Sequence, residues 1–236
     1  MAETNFAALV ITAEIIYFPG ERAASGARSE PAALLLDALQ QNGTAFAIAW
    51  HLIEAAEQPV LDQLPGKTNG AREELIAQID PAGSGRAREH CRAVLRHGGL
   101  AGIRHLALGC PERLLAKLSS AGRLRPDEEK ELPNGFAPPP DGFEAHAERH
   151  SAAGEETRRT LTSYRAEVIR QQYAAERIVR HFRAGGEGKL LVFLPSADLA
   201  AGHGVPYYVS QKIQLRQLVF DSAPSRNDAP RLLTTL

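Results

Sequence analysis

The sequence predicts an α/β domain, in which a mainly parallel β-sheet is flanked by helices and carries a helical cap segment. Residues 190–194 (LLVFL) form an unbroken apolar run after a glycine-rich break, as expected for a strand that is buried on both faces. Residues 44–52 and 103–108 have the same character. Helix-like segments separate these runs, and this alternation predicts parallel strands joined by crossover helices.

The first half of the chain supplies three of the predicted strands. They lie at residues 6–18, 44–52 and 103–108, and the first of them ends at Pro19 and Gly20. Helices are predicted between them at residues 32–41, 71–79 and 86–97, and residues 53–64 are helical or extended. Proline in the first turn and asparagine-glycine at the end bound the helix at residues 32–41.

The second half begins with a helix from Pro111 to about Ala121, which Gly122 ends. Residues 132–142 contain four prolines and two glycines, which predicts a loop. Residues 143–182 lack proline and predict one or two long helices, with Gly154 as the interruption. The strand beginning at Lys189 follows, then a short helix or turn at residues 206–211 and a final strand at residues 215–221.

The length of the chain sets its domain organisation. A chain of 236 residues is long enough for one large α/β domain and short for two, so residues 1–236 are predicted to form a single domain. Within it, residues 125–185 form the helical cap or insertion, and residues 222–236 are expected to be a surface tail.

Composition excludes several classes of function. Lysine and arginine total 27 against 28 aspartates and glutamates, and this balance argues against a nucleic-acid partner. No apolar run approaches the roughly 18 residues of a membrane span. The first residues lack the pattern of a signal peptide, so the expected location is the cytoplasm unless an export segment has been removed.

Several residue types that often carry chemistry favour ordinary structural roles here. Cys91 and Cys110 cannot form a disulfide framework and are predicted to be buried thiols. His146 and His150 have the four-residue spacing of a metal-binding pair, but they lie in a highly charged segment, which favours a solvated helix face. Ser196 lacks the nucleophile-elbow pattern, so a serine hydrolase is disfavoured.

Motifs along nearly the whole chain resemble the ChaN-like haem-binding uptake family, which is related to the Tiki and erythromycin-esterase-like folds. The matching segments are Gly20-Glu21, the leucine-rich helix at residues 34–39, the Gln-Pro-x-Leu-Asp sequence at residues 58–62, Gln171-Gln172 and Gly204-Val205-Pro206. The resemblance implies an α/β fold and haem or iron handling.

Three polar positions depart from the family pattern. Ala23 stands where the family has its first histidine, His51 where it has a glutamate, and Asp198 where it has its second histidine. The resemblance therefore implies a family fold with altered site residues.

Glu21, His51 and Asp198 each follow a predicted buried strand. The carboxyl ends of parallel strands meet at one edge of a sheet, so these side chains could converge on one crevice and hold a divalent metal such as zinc, iron or manganese. The alternative, which we favour, is that Glu21 pairs with an arginine, Asp198 caps a turn and His51 is an ordinary residue at a strand end.

Haem binding would require an axial ligand in an apolar pocket. The candidates are Tyr207 and Tyr208, which follow Gly-Val-Pro directly, together with His203 and Tyr17. The alternative for the adjacent tyrosines is that one packs into the core while the other covers the surface.

Three hypotheses about function remain open at this stage. The leading one is a haem-binding protein for haem or iron handling, which binds haem or a related small molecule between the strand ends and the long helical segment; a homodimer is an allowed assembly. The second is a non-catalytic scaffold or partner-binding module of the same fold. The third is a metal-dependent hydrolase that uses Glu21, His51 and Asp198. Ligand binding is preferred over catalysis.

Overall fold

The computed structural model describes residues 9–19, 30–41, 43–79, 102–150, 157–186, 188–199, 203–220 and 231–233. Its strands are β1 (Ile15–Pro19), β2 (Phe46–Glu54), β3 (Arg104–Gly109), β4 (Lys189–Leu194), β5 (Gln217–Val219) and β6 (Arg231–Leu233). Its helices are α1 (Glu30–Gln41), α2 (Gln58–Leu61), α3 (Asn69–Ile79), α4 (Glu112–Ala121), α5 (Pro126–Glu129), α6 (Pro140–His150), α7 (Thr157–Arg183) and α8 (Val205–Ser210). Two 3₁₀ segments, Ala55–Glu57 and Ser196–Leu199, complete the description.

The six strands form one sheet in the order β3-β2-β4-β1-β5-β6. β4 lies in the middle, where Leu190 is opposite Ile15 of β1 on one side and Ala47 of β2 on the other. All neighbouring strands are parallel except β5 and β6, which are antiparallel. The carboxyl ends of β1 to β4 therefore lie at the same edge of the sheet, which confirms the predicted α/β class.

Successive side chains of each strand point to opposite faces of the sheet, and this alternation builds two apolar cores. On one face, Ile16, Ile48 and Leu191 pack with the leucines and isoleucines of α1 to α3. On the other face, Tyr17, Ala49 and Val192 pack with α7 and α8. In α7, Ala174 and Ala175 are fully buried against the sheet, and their small side chains allow the helix to approach it closely.

A third, smaller core joins α4 to the outer side of α7. Leu114, Leu118 and Ile169 are its most buried members. α7 therefore packs against the sheet on one side and against α4 on the other. No helix in the described part of the chain has the length and apolarity needed to cross a membrane.

Most predicted elements have the expected type, and two differ. Residues 9–12, predicted as the outer half of the first strand, are helical instead, and the Ala13 amide donates to the Leu9 carbonyl. Residues 231–233, predicted as part of a surface tail, form β6 because their backbone pairs with β5. Both segments are short and largely apolar, and so short a pattern does not decide between a strand and another conformation.

Within and next to the predicted cap region, one element boundary is shifted. Gly122 ends α4 at a positive φ of 71°, as the sequence indicated. The proline-rich loop ends earlier than expected, because Pro140 already begins α6. The expected break near Gly154 separates α6 from α7, although residues 151–156 themselves lie outside the described residues, as does the predicted helix at residues 86–97.

Candidate functional site

A crevice of about 590 Å³ opens at the carboxyl edge of the sheet. The strand ends form its floor and α7 forms one wall. Open α/β sheets bind ligands in such crevices at the carboxyl ends of their strands. Its described lining residues are His51, Leu52, Glu54, Glu57, Ile79, Gly109, Cys110, Glu112, Leu115, Glu167, Arg170, Pro195, Ala197 and Asp198.

His51 and Asp198 meet inside this crevice, an arrangement that parallel strand ends allow. His51 lies in β2, and Asp198 lies in the 3₁₀ segment that follows β4, the strand paired with β2. His51 Nδ1 is 3.6 Å from Asp198 Oδ2, which is longer than an ordinary hydrogen bond. Both residues are buried, at 7% and 3% exposure, so they form a close pair that solvent barely reaches.

Burial keeps the His51 imidazole neutral. Loss of solvation lowers its pKa, and this effect exceeds the raising effect of Asp198; the positive charge of Arg170 lowers the pKa further. The ring lies beside the Arg170 backbone but does not reach hydrogen-bond geometry with it, and neither ring nitrogen has a hydrogen-bond partner among the described residues. His51 is therefore a neutral imidazole whose two ring nitrogens are buried inside the protein.

Asp198 is held by α7 through Gln171. The Gln171 side-chain amide donates to Asp198 Oδ1 at 3.0 Å and to Glu167 Oε1 at 3.2 Å. Glu167 in turn contacts His146 Nδ1 of α6 at 2.7 Å, which requires that Nδ1 carry hydrogen when Glu167 is ionised. A buried polar chain thus runs from the strand-end pair, through α7, to α6.

The buried position of His146 corrects the prediction of a solvated helix face. This residue is only 1% exposed, because α6 packs on α7 and Glu167 offers its imidazole a polar partner inside the fold. The side chain of His150 lies outside the described set, so the spacing of the two histidines is not tested as a metal-binding pair.

The predicted metal site is only partly assembled by the described residues. His51 and Asp198 come together, whereas Glu21 lies outside the described residues, as does Ala23. Among the residues that the structure describes, no group of three or more histidine, cysteine, aspartate or glutamate side chains could hold a metal ion. The three-residue metal site therefore stays a prediction.

Cys110 follows β3 and lines the same crevice as a free thiol. Burial and the nearby Glu54 carboxylate raise its pKa to about 12, so the reactive thiolate is scarcely populated near neutral pH. This supports the predicted role of a buried thiol for Cys110; Cys91 lies outside the described residues.

The predicted haem ligands form a second group, separate from the crevice. Tyr207 and Tyr208 lie on α8, and their rings contact each other edge to face at 5.4 Å. Neither they nor His203 line the crevice. Val205, Tyr208 and Val209 of α8 pack with α7 and with residues of the sheet.

The two adjacent tyrosines differ in accessibility. Tyr208 is 6% exposed and its hydroxyl has no hydrogen-bond partner among the described residues, while Tyr207 is only partly buried. Burial raises the pKa of Tyr208 to about 12, against a smaller lowering effect of the Gln172 side chain. His203 is also partly buried and lies just before Gly204, the residue that precedes α8.

Tyr17 occupies the core of the sheet. It is fully buried in β1, and its hydroxyl donates to Gln217 Oε1 of β5 at 2.7 Å. Burial raises its pKa well above the usual value. Its hydroxyl is engaged between strands, and this arrangement favours a structural role for Tyr17 over a role as a haem ligand.

The α7 residues of the crevice were not identified by the sequence argument. Glu167, Arg170 and Gln171 lie on one face of α7 because they are spaced by three and four residues. The three- and four-residue spacing that includes Gln171 or Gln172 predicts a helix face that packs on the sheet or caps a cleft, but it does not single out Glu167 or Arg170. Strand-end reasoning alone does not indicate which face of a helix will cover the site.

Comparisons with known proteins identify a family and a fold. Residues 7–209 match the family described as haem-binding uptake, Tiki superfamily, ChaN. No curated protein sequence shows significant similarity to the chain.

Two solved structures resemble the whole fold. ChaN of Campylobacter jejuni, whose structure describes cofacial haem binding, is 12% identical with a TM-score of 0.69, over 96% of this chain and 88% of that chain. A mutant of the erythromycin esterase EreC in its open conformation is 14% identical with a TM-score of 0.49, over 99% of this chain and 78% of that chain. At such low identity, the first of these supports the fold alone.

Proposed function

Because the chain belongs to the haem-binding uptake family of the Tiki superfamily that includes ChaN, we propose that it binds haem and acts in haem or iron handling. The observation that carries the proposal is the family match over residues 7–209. We propose the α8 tyrosines as its binding site.

A haem site needs a ligand for iron and an apolar surface for the porphyrin. Tyr207 and Tyr208 supply phenol groups, and the unpartnered hydroxyl of Tyr208 is a buried polar atom that a ligand could satisfy. Tyr164 lies close enough to raise the pKa of Tyr208, and its ring contacts Phe143 of α6 at 5.7 Å. The aromatic side chains around α8 are therefore compatible with a flat apolar ligand.

Tyr207 is the preferred iron ligand in this proposal. Its side chain is partly exposed, so a ligand can reach its hydroxyl without opening the core, whereas Tyr208 is nearly inaccessible. Tyr208 would then border the porphyrin, and His203 would lie at the margin of the site. Bound haem would supply the iron atom whose transfer or storage constitutes the proposed function.

We predict that adding hemin to the protein shifts the Soret band and that Tyr207→Phe weakens binding by roughly tenfold or more, equivalent to about 1.4 kcal/mol. Loss of the phenol removes the iron ligand but keeps the aromatic ring and its contact with Tyr208. Absorption titration of the wild type, Tyr207→Phe, Tyr208→Phe and His203→Ala measures each contribution.

Tyr173→Phe is the matched control. Tyr173 is a partly buried tyrosine of α7 that packs against the third core, between α7 and α4, and not with the α8 tyrosines. This variant should titrate like the wild type. An unchanged Soret band in the wild type would reject haem binding and favour the scaffold hypothesis. Equal binding by wild type and Tyr207→Phe would instead reject Tyr207 as the iron ligand.

A further inference from the structure

We propose that a groove on the outer side of α7 binds a small amphipathic anion, in the form of a carboxylate carried on an apolar body. The groove has a volume of about 640 Å³, which is the size of a small-molecule site. It lies between α7 and residues 118–138. The proposal does not depend on haem binding by the α8 tyrosines, since neither of them lines the groove.

The third core supplies the apolar floor of the groove. Leu118 of α4, Leu124 and Ile169 of α7 are buried members of that core, and all three line the groove. Leu132 and Phe136 are only partly buried, and they extend the apolar surface along the loop. An apolar group that covered these side chains would remove their exposed surface from water, which favours binding of a ligand with an apolar body.

The loop that forms one wall of the groove is held in place by α7. The backbone amide of Asn134 donates to Glu176 Oε2 at 3.1 Å, and the Gln172 side chain donates to the Ala137 carbonyl at 3.0 Å. Glu176 and Gln172 both belong to α7. The wall is therefore formed before a ligand arrives, which lowers the entropy cost of binding.

Positive charge lies along the rim of the groove. Arg123, Lys130 and Arg165 are exposed lining residues, and none of them has a hydrogen-bond or ion-pair partner among the residues that the structure describes. Glu129 is the one acidic residue of the described lining. Three cations thus stand against one carboxylate, and this excess attracts anions.

The other acidic side chains of this region are bound to cations outside the groove. They form the ion pairs Arg113–Glu131, Lys117–Glu128, Arg125–Asp127 and Arg125–Glu128. None of the six residues in these pairs lines the groove. The cations of the rim are therefore left for an anion from outside, and arginine binds a carboxylate well because its N–H groups match the two oxygens.

The test uses the full chain without haem and measures binding by isothermal titration calorimetry. Octanoate is paired with octan-1-ol, and 4-phenylbutyrate with 4-phenylbutan-1-ol; acetate is tested alone as an anion without an apolar body. We expect at least one of the two amphipathic anions to bind about tenfold or more tightly than its alcohol and than acetate, and to bind more weakly at high salt. Equal binding of each anion and its alcohol, equal binding of acetate, or no binding of either anion would overturn the proposal.

Variants that change charge in opposite directions connect binding to this groove. Arg123→Gln and Arg165→Gln each remove a cation of the rim, and each should weaken binding of the tighter anion by about 1.5- to 5-fold. Glu129→Gln removes the one lining carboxylate and should strengthen binding of the same anion by a similar factor. All three side chains are exposed, so these variants are expected to fold like the wild type.

Arg104→Gln and Glu74→Gln are the matched controls, because both side chains are exposed and neither lines the groove. They change the net charge of the chain by the same amounts as the groove variants, and they should bind the anion like the wild type. If Arg123→Gln and Arg165→Gln both match the wild type, or if the controls change the affinity as much as the groove variants do, the anion does not bind in this groove and the proposal fails.

Hemin also carries carboxylates on an apolar body, so one further titration separates the two proposals. The anion titration is repeated on protein that has been saturated with hemin, and we expect an unchanged affinity. Loss of anion binding in the presence of hemin would identify the groove as a haem site and overturn the present proposal. An absent Soret shift together with anion binding would reject the haem proposal alone.

Discussion

Buried histidines are a recurring feature at the scale of single residues. His105 of β3 accepts a hydrogen bond from the Trp50 indole at Nδ1, over 3.1 Å, and is 1% exposed. Burial, with a smaller effect of the Arg72 charge, lowers its pKa to about 3. His105 is therefore neutral throughout the physiological range, and its protonation is coupled to unfolding.

This coupling predicts an acid-sensitive stability. Between pH 6.5 and about 3 the unfolded chain protonates His105 while the folded chain does not, so stability falls as pH falls through that window. The slope is about 1.4 kcal/mol per pH unit for one such histidine. Urea unfolding of the wild type and His105→Asn between pH 8 and 4 measures it. Asparagine can still accept a hydrogen bond from Trp50 but does not titrate. The slope of the free energy of unfolding against pH should therefore be smaller in the variant by about 1.4 kcal/mol per pH unit. Equal slopes in the two proteins would contradict the low pKa of His105.

The candidate site shows what could be predicted at this scale. Strand-end reasoning allowed His51 and Asp198 to converge, and they lie 3.6 Å apart, because parallel strands bring their carboxyl ends to one edge. Gln171 belongs to the helix face expected to pack on the sheet or cap a cleft, whereas Glu167 was not expected at the site and reaches it through the way α7 packs on the sheet. Helical spacing groups residues on one face, but which of them reach the strand ends depends on how α7 packs on the sheet.

At the scale of elements, the Gln-Pro-x-Leu-Asp motif has a structural role. Gln58 of α2 donates to the His105 carbonyl and accepts from the Ala107 amide of β3, each at 2.8 Å. Its amide thus reproduces the pairing that another strand would supply at the sheet edge. Asp62 also accepts from Gln58, and Leu61 is fully buried. This motif therefore protects an edge strand from pairing with other chains.

We predict that Gln58→Leu destabilises the protein by about 1–3 kcal/mol, because it leaves backbone groups of β3 without partners. The exposed edge should also increase self-association on heating. Urea unfolding and light scattering measure the two effects.

Gln63→Leu is the matched control for this prediction, since Gln63 is exposed and bonds only to the carbonyl of Pro59 within its own turn. The control should lie within about 0.5 kcal/mol of the wild type. Comparable losses in both variants would show that Gln58 does not protect the edge.

Elements with strong local signals were predicted well. The β4 strand, α4 and its glycine stop are set by apolar runs and a positive φ that glycine adopts readily. β6 was not predicted, because three residues carry little periodicity and become a strand only by pairing with β5. The helical residues 9–12 were assigned to β1 because an apolar, β-branched run does not distinguish a strand from a buried helical turn.

At the scale of the whole molecule, the two main cores share one sheet. Alternate residues of each strand enter opposite cores, so Leu190 and Leu191 belong to different layers although they are adjacent. The predicted cap region contains α7, which is itself the principal cover of one sheet face. Removing either layer would expose the same strands, and this connection predicts that the domain unfolds as one unit.

This prediction can be tested with one substitution in each layer. Leu36 of α1 and Ile178 of α7 are both fully buried, on opposite faces of the sheet. Leu36→Ala and Ile178→Ala should each cost about 2–5 kcal/mol, because each leaves a cavity in a packed core. Trp50, the only tryptophan, is 1% exposed and stacks on Phe193, so its fluorescence reports on the centre of the sheet.

For a single cooperative domain, tryptophan fluorescence and far-ultraviolet circular dichroism should give coincident urea transitions in the wild type and in both variants. In each variant the midpoint should shift to a lower urea concentration than in the wild type. The slope of the free energy of unfolding against urea concentration should stay constant. If Ile178→Ala separated the two signals, with helical signal lost before fluorescence changed, α7 and its neighbours would form an independently unfolding cap. The alternation of buried residues along β4 argues against that result, because disruption of the α7 layer leaves Leu190, Val192 and Leu194 without their packing partners.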